Sequence, residues 1–203
     1  MSDDAARLAR RSVHEGRIVS LSVDTVRMPD GAVREVEHIR HSGAAAVLPV
    51  LGGPGERDPE ILLIRQYRYS TGGYLYEVPA GRPSREGEPW EEVANRELQE
   101  ETGWTAGRLT PLTAMWTTPG FTDERIHLYL ATDLSPGTSK LDDDEFLEVV
   151  RIRLSQALEW VREGRVVDGK SLVTLLYAER FLLADAEETP NDVSSSPGQA
   201  SPG

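Results

Sequence analysis

The stretch PWEEVANRELQEETG, Pro89 to Gly103, demands a fold that turns charge inward. Successive helical residues are separated by about 100°. At that step Trp90, Val93, Ala94 and Leu98 share one side and must meet a core. Glu91, Glu92, Asn95 and Gln99 fall opposite, as a solvated face. Glu97 and Glu101 do not join them. They project into the apolar stripe, with Arg96 and Glu100 on its flank. Pro89 suits the first helical position, and Glu91 and Glu92 suit the positive end of the helix dipole. Gly103 suits the C-terminal cap.

A glutamate run is ordinarily a solvated helix face, and that reading accounts for Glu91 and Glu92. It fails for Glu97 and Glu101, because burying an unpaired carboxylate is costly. Glu97, Glu100 and Glu101 need a compensating cation. Arg96 offsets one carboxylate. A hard divalent cation offsets the rest with oxygen ligands only. The chain has no cysteine, and its four histidines (His14, His38, His41, His127) show no metal-binding spacing such as HExxH. Mg²⁺ is the natural candidate, with Mn²⁺ beside it.

The absence of cysteine also excludes a disulfide framework, zinc–thiolate sites, iron–sulfur clusters and a cysteine nucleophile. A formal charge of -12 argues against sequence-independent nucleic-acid binding, which needs basic side chains to release counterions. A small anion can still bind where a metal or a local arginine cluster supplies positive charge. MSDDAARLARR lacks the apolar region of a secretory signal, and no window reaches the length of a membrane span. The expectation is a cytoplasmic protein with no nucleic-acid or membrane partner.

Residues 1 to about 12 read as a frayed polar lead-in. RIVSLSVDTVRM and AVREVEHIR alternate apolar and polar residues around a PDG turn, as half-buried strands do. GAAAVLPVL and EILLIRQYR are near-continuous apolar runs, expected for a buried sheet. GGYLYEVPAG is a short strand broken by Pro79 and Gly81. Two more strands flank a Pro-Gly turn in LTPLTAMWTTPGFTDERIHLYLATDL, and FLEVVRIRL is another. SQALEWVREG reads as a helix capped by Ser155 and stopped by Gly164, and SLVTLLYAERFLLADA as a longer amphipathic one. The tail from about Glu187 lacks the apolar residues to build a core. Strands, helix, strands, helices in that order indicate an α+β fold.

AGRPSREGEPWEEVANRELQEETGW resembles the Nudix box: a glycine, a glutamate, then Arg-Glu-apolar-x-Glu-Glu-x-Gly-apolar. Arg96, Glu97, Leu98, Glu100, Glu101, Gly103 and Trp104 match, and Glu88 stands at the right distance before Arg96. One departure lies in the loop, where six residues rather than five separate Gly81 from Glu88. RQYRY, GGYLYEVPAG and TTPGFTDERIHLYLA resemble the branch that hydrolyses ADP-ribose and related nucleoside diphosphate sugars. Pro119 stands where that branch often carries a proline. The likeness spans roughly residues 16 to 183. It implies an α/β/α sandwich with a mixed sheet, preceded by a small antiparallel β N-terminal domain often swapped across a homodimer. The expected division is 1–43 for dimerisation, 44–184 for the hydrolase domain and 185–203 for a disordered tail.

The resemblance implies Mg²⁺-dependent hydrolysis of a pyrophosphate, giving a nucleoside monophosphate and a sugar phosphate. Glu97, Glu100 and Glu101 would be the metal ligands, with the Ala80 carbonyl as a backbone ligand, and Arg96 would orient the glutamates. Glu145, in DDDEFLEVV, is the expected base and a further ligand, with Asp143 second; an ordinary acidic turn is the alternative. Arg65 and Arg68 would clamp the diphosphate or terminal sugar, Arg68 matching the family better, against the alternative of a strand-end salt bridge. Glu77 would contact a ribose hydroxyl or a metal. Pro119 and Phe121 would line the substrate pocket, Phe121 otherwise being a core aromatic. Some relatives stack the base on aromatics of the N-terminal domain. Here the first aromatic is Tyr67, so Tyr67, Tyr69, Tyr74 or Tyr76 would have to replace them. The substrate expected is ADP-ribose, with GDP-mannose or another nucleoside diphosphate sugar as runner-up. A non-catalytic ligand-binding module is disfavoured by the intact glutamates. A triphosphate sanitiser is disfavoured by the N-terminal strands.

Overall fold

The two near-continuous apolar runs become neighbouring strands of a seven-stranded mixed sheet. In this computed structural model, residues 7–53, 56–139 and 146–183 are described. Strands β1 (Arg7–Glu15), β2 (Val19–Arg27) and β3 (Val33–His41) form a separate antiparallel sheet. The main sheet contains β4 (Ala44–Leu51), β5 (Glu60–Arg68), β6 (Gly73–Glu77), β7 (Ala80–Gly81), β8 (Trp104–Trp116), β9 (Arg125–Pro136) and β10 (Leu147–Arg153). Its order is β10-β5-β4-β9-β8, with β6 on β5 and β7 on β4. β4 and β9 are parallel and the other pairs antiparallel.

Both faces of this sheet are covered, which is why β4 reads as unbroken apolar sequence rather than as alternation. Ala44, Ala46, Leu48 and Val50 face a core closed by α2 (Leu154–Arg162) and α3 (Gly169–Ala178). Ala45 and Val47 face α1 (Trp90–Thr102), through Val93, Ala94 and Leu98. Each fully buried valine or leucine contributes about 1.5–3 kcal/mol. The result is the α/β/α sandwich.

Helix boundaries shift by small amounts. Pro89 stands at the N-cap rather than the first helical position, and Gly103 closes α1 in the left-handed region, φ 76°, its N–H on Gln99 O. Asn95 is half-buried rather than fully solvated: its Oδ1 accepts from Ala106 N at 3.2 Å, because β8 runs back along that side of α1. α2 starts one residue before the expected cap, Ser155, whose N and Oγ donate instead to the Asp58 carboxylate. α3 begins at Gly169, capped by Asp168, and passes into a π-helical turn at Glu179–Leu183.

The polar lead-in is corrected by the structure: Arg7–Glu15 is a strand paired with β2. Arg10 reaches across to buried Asp24, donating from Nε at 2.8 Å and from Nη2 at 2.6 Å. Ser22 Oγ donates to the same carboxylate. The Arg10 hydrogen bonds draw Asp24 down from the ordinary 3.8 to about 2. A depressed carboxylate stabilises the fold above its unfolded pKa, and that share disappears as pH falls through the folded value. Protection of the β1 and β2 amides against exchange, taken relative to the intrinsic rate at each pH, should therefore fall between pH 3.8 and about 2 in wild type. In Asp24→Asn that acid-dependent step should be missing.

The small sheet is pinned to the β8–β9 turn. Ile39 N donates to Phe121 O at 2.7 Å, Asp123 N to Ile39 O at 3.2 Å, and His41 N to Asp123 Oδ1 at 2.8 Å.

Candidate active site

The C-terminal half of α1 presents its carboxylates to β7. Glu97 is 8% exposed and Glu101 2%. Pairing of Ala80 and Gly81 with Ala46 and Ala45 of β4 lays β7 against this helix. Ala80 N donates to Glu101 Oε2 at 3.0 Å. Gly81 faces Glu97 so closely that an added Cβ would stand 2.1 Å from its carboxyl carbon.

Arg96 gathers the acids. Its Nη1 donates to Glu97 at 2.7 Å and to Glu100 at 2.8 Å, its Nε to Glu88 at 3.3 Å and its Nη2 to Arg82 O at 2.8 Å. Burial disfavours its charge, but the field of Glu97 and hydrogen bonds to Glu100, Glu97 and Glu88 prevail, so its pKa lies above the ordinary range. Glu88 is held by Ser84 N at 2.6 Å, which with Arg96 keeps its pKa below the ordinary glutamate value. The longer loop before α1 is absorbed in a tight turn. Glu88 N bonds Arg85 O at 3.3 Å and Gly87 has φ 72°. Glu88 still arrives on Arg96.

Among the described residues, no three histidine or acidic side chains are converged as a ready-made metal site. Glu97 and Glu100 meet instead at one nitrogen of Arg96. The donor set of Glu97, Glu100, Glu101 and the backbone of Ala80 is nevertheless all oxygen, which suits a hard divalent cation.

Of these groups Glu97, Glu100 and Ala80 line a cavity of about 540 Å³, shared with Arg68 and Lys170. A neighbouring cavity of about 650 Å³ is lined by Leu75, Glu77, Met115 and Asp168 among others. Ile18, Arg68, Glu124, Ile126 and Lys170 border both. Glu77 is 1% exposed and takes Arg68 Nε at 2.7 Å, Arg68 Nη2 at 2.8 Å and the Lys170 ammonium. Burial pushes its pKa up, but the two cations win and hold it below the ordinary value.

Arg65 and Arg68 are separated by this register. β5 pairs Arg65 with Tyr76 and Tyr67 with Tyr74, whereas Arg68, Gln66 and Ile64 pair with Gly73, Leu75 and Glu77. Side chains alternate faces along a strand. Arg68 therefore stands with Glu77 on the cavity side. Arg65 lies on the other face, over the Tyr74 ring at 4.0 Å and 3.5 Å from Glu148. Tyr67 and Tyr74 share that outer face, and Tyr76 packs on Trp160. Among the described residues no tyrosine lines either cavity; the apolar lining is aliphatic, from Ile18, Ile126, Leu75 and Met115.

Pro119 and Phe121 lie in the exposed turn between β8 and β9 and line neither cavity. Phe121 is 50% exposed, so it is not a core aromatic either; its backbone anchors β3. Glu145 and Asp143 lie outside the described residues. Sequence reasoning did not single out Lys170, Glu124 or His41, all of which border the first cavity. The helix-cap signal at Asp168 was readable, but the contact of Lys170 with a strand 93 positions away was not.

Residues 40–173 match the NUDIX domain. The chain is 38% identical over 174 residues to the ADP-ribose pyrophosphatase of Bacillus subtilis (strain 168), covering 85% of this chain and 91% of that one. It is 36% identical over 169 residues to the methanol dehydrogenase activator of Bacillus methanolicus, covering 82% and 88%. A solved structure described as the crystal structure of ADP compounds hydrolase superposes with a TM-score of 0.74 at 25% identity, covering 88% and 94%. A box whose carboxylates converge on Arg96, in a mixed sheet between helix layers, agrees with that match over 40–173, and the chain belongs to the NUDIX domain family.

Proposed function

We propose that this chain is a divalent-metal-dependent pyrophosphatase of nucleoside diphosphate sugars, with ADP-ribose as the leading substrate and AMP and ribose 5-phosphate as products. The observation that carries the reading is one cavity with two chemistries: the carboxylates Glu97 and Glu100 beside the cations Arg68 and Lys170. Carboxylates alone repel a diphosphate, and cations alone leave buried acids to be offset. A metal on the acids and cations on the phosphates satisfy both demands.

Glu97, Glu100, Glu101 and the Ala80 carbonyl would hold the cation, Mg²⁺ first and Mn²⁺ second. Bound there, it supplies polarisation of the phosphoryl oxygen and acidification of water. Arg96 holds Glu97 and Glu100 in place by charge-assisted hydrogen bonds. Arg68, oriented by Glu77, offers the planar donor fork that suits phosphate oxygens. Glu145 is the proposed base, with Asp143 second.

The substrate is tested by a panel of ADP-ribose, ADP-mannose, GDP-mannose, UDP-glucose and NADH with Mg²⁺, products being separated by chromatography. ADP-ribose should give the highest kcat/KM. A preference for GDP-mannose moves the assignment to the runner-up, and cleavage of none moves it to a ligand-binding module.

The proposal includes residues 1–43 as a dimerisation domain of a homodimer, with 44–184 as the hydrolase domain. β1 is an edge strand, and Leu8, Val13 and Ile18 are each about half exposed. Exposed edges and apolar side chains of this kind are commonly covered by a second chain. Light scattering should report a dimer that becomes a monomer when β1 is deleted. A wild-type monomer at assay concentrations contradicts this part.

A further inference from the structure

We propose that His41 is a positioning residue whose Nδ1 has two exclusive partners, the Gly43 N–H when the ring is neutral and the Glu124 carboxylate when it is protonated, and that the protonated state tightens the cavity's hold on an anionic diphosphate. The inference rests on the pyrophosphatase reading above and concerns the pH response of that same site.

His41 ends β3 and borders the first cavity, its side chain 10% exposed. Gly43 N donates to its Nδ1 at 3.1 Å. A ring nitrogen that accepts carries no proton, so this bond belongs to the neutral imidazole with its proton on Nε2. The same Nδ1 stands 3.4 Å from Glu124 Oε1. Two acceptors thus face each other, and a proton on Nδ1 turns that contact into a charge-assisted hydrogen bond. It also leaves the Gly43 N–H without its acceptor. Gly43 cannot move to compensate. It is buried at φ 80°, and an added Cβ would stand 2.8 Å from Trp90 Cη2 and 3.0 Å from Arg125 O. The nitrogen serves one partner at a time, and the proton selects which.

The plainer alternative is that His41 only closes a local turn on Gly43. Such a turn needs no acid, yet the β8–β9 turn delivers one to the accepting nitrogen. Thr117 Oγ1 holds Glu124 Oε2 at 2.8 Å, and Asp123 Oδ1 takes His41 N at 2.8 Å. Both bonds keep the turn, and Glu124 with it, beside the ring. β2 sets uncharged Val19 opposite His41. The charged groups sharing the cavity with it, besides Glu124, are Arg68, Arg82, Arg96, Lys170, Glu97 and Glu100. Glu124 borders both cavities, so its charge opposes a diphosphate that spans them. A cationic ring beside it makes the pair formally neutral and removes that opposition. Imidazole is the side chain that changes charge between about pH 5 and 8.

The test is calorimetric titration of the full chain, in saturating Mg²⁺, with an ADP-ribose analogue whose bridging oxygen is replaced by an uncleavable methylene. This probe lacks the phosphomonoester ionisation that falls near about pH 6, so its own charge stays constant. The ratio of Kd at about pH 8 to Kd at about pH 5.5 should be at least about fivefold larger in wild type than in His41→Asn, a size common for coupling between two ligands. The asparagine Oδ1 still accepts from Gly43 N but takes up no proton. Reciprocity requires that wild type absorb protons on binding at about pH 7, read as a binding heat that varies with the buffer's ionisation heat, and that His41→Asn absorb fewer. Glu124→Gln should show the same loss of pH response, and it carries the measurement if His41→Asn does not fold. Nitrogen-15 spectra at about pH 8 should place the His41 proton on Nε2. The same pH response in wild type and variants, or a proton on Nδ1 at that pH, overturns the proposal and leaves a purely structural histidine. Wild type that neither binds the analogue nor cleaves any diphosphate sugar overturns the pyrophosphatase reading and this inference with it. Active wild type with a pH response unchanged by the variants overturns this inference alone.

Discussion

Glu100→Gln and Glu101→Gln should each lower kcat for ADP-ribose at least about a hundredfold while leaving the protein folded, as loss of one preorganised electrostatic group does elsewhere. The two variants reach this result by different routes. Glu100 is partly exposed and receives Arg96 Nη1 at 2.8 Å. An amide there keeps a hydrogen-bonding oxygen but carries no charge for a cation. Glu101 is 2% exposed and accepts from Ala80 N at 3.0 Å. Glutamine retains an oxygen for that bond, so β7 stays docked on α1 while the negative charge is lost. Circular dichroism and thermal melting should stay close to wild type. Full activity in both variants contradicts the carboxylate cluster as the catalytic centre.

Gly81→Ala should be nearly as damaging, although it removes no chemical group. The new Cβ would stand 2.1 Å from Glu97 Oε1 and 2.4 Å from Oε2. One of them must move. Glu97 is buried and tied to Arg96 at 2.7 Å, so it cannot swing aside without disturbing Glu100 on the same nitrogen. Displacement of a catalytic group by about 1 Å can cost roughly a hundredfold in rate. The overpacking should cost about 1–3 kcal/mol of stability. The check is a kcat fall of that size, measured below the melting transition. Near-normal kcat with altered stability alone would show that Glu97 has more freedom than its contacts indicate.

The faces of α1 were legible in the sequence because they depend only on the angle between successive residues. Glu97 and Glu101 turn inward where the 100° step puts them. Asn95 escaped that reading, since its partner Ala106 lies on another element. Arg65 and Arg68 show a different limit. Three positions apart on a strand, they must face opposite sides, which the sequence already implies. Which side holds the cavity depends on where α1 and β7 pack, and only the assembled sheet decides it. β1 was missed because its strongest cross-strand anchor is polar, Arg10 on Asp24, and apolar alternation does not register such a pair. Pro119 and Phe121 were matched through family resemblance, but the structure uses their turn to hold the small sheet.

The most direct test of a metal-dependent pyrophosphatase centre on Glu97, Glu100 and Glu101 is product analysis of the wild-type chain with ADP-ribose, before and after chelation. Equal amounts of AMP and ribose 5-phosphate should form with Mg²⁺, stop with EDTA, and resume when Mg²⁺ is restored in excess. Cleavage undiminished by EDTA, or no cleavage of ADP-ribose or any other diphosphate sugar with Mg²⁺ present, contradicts it.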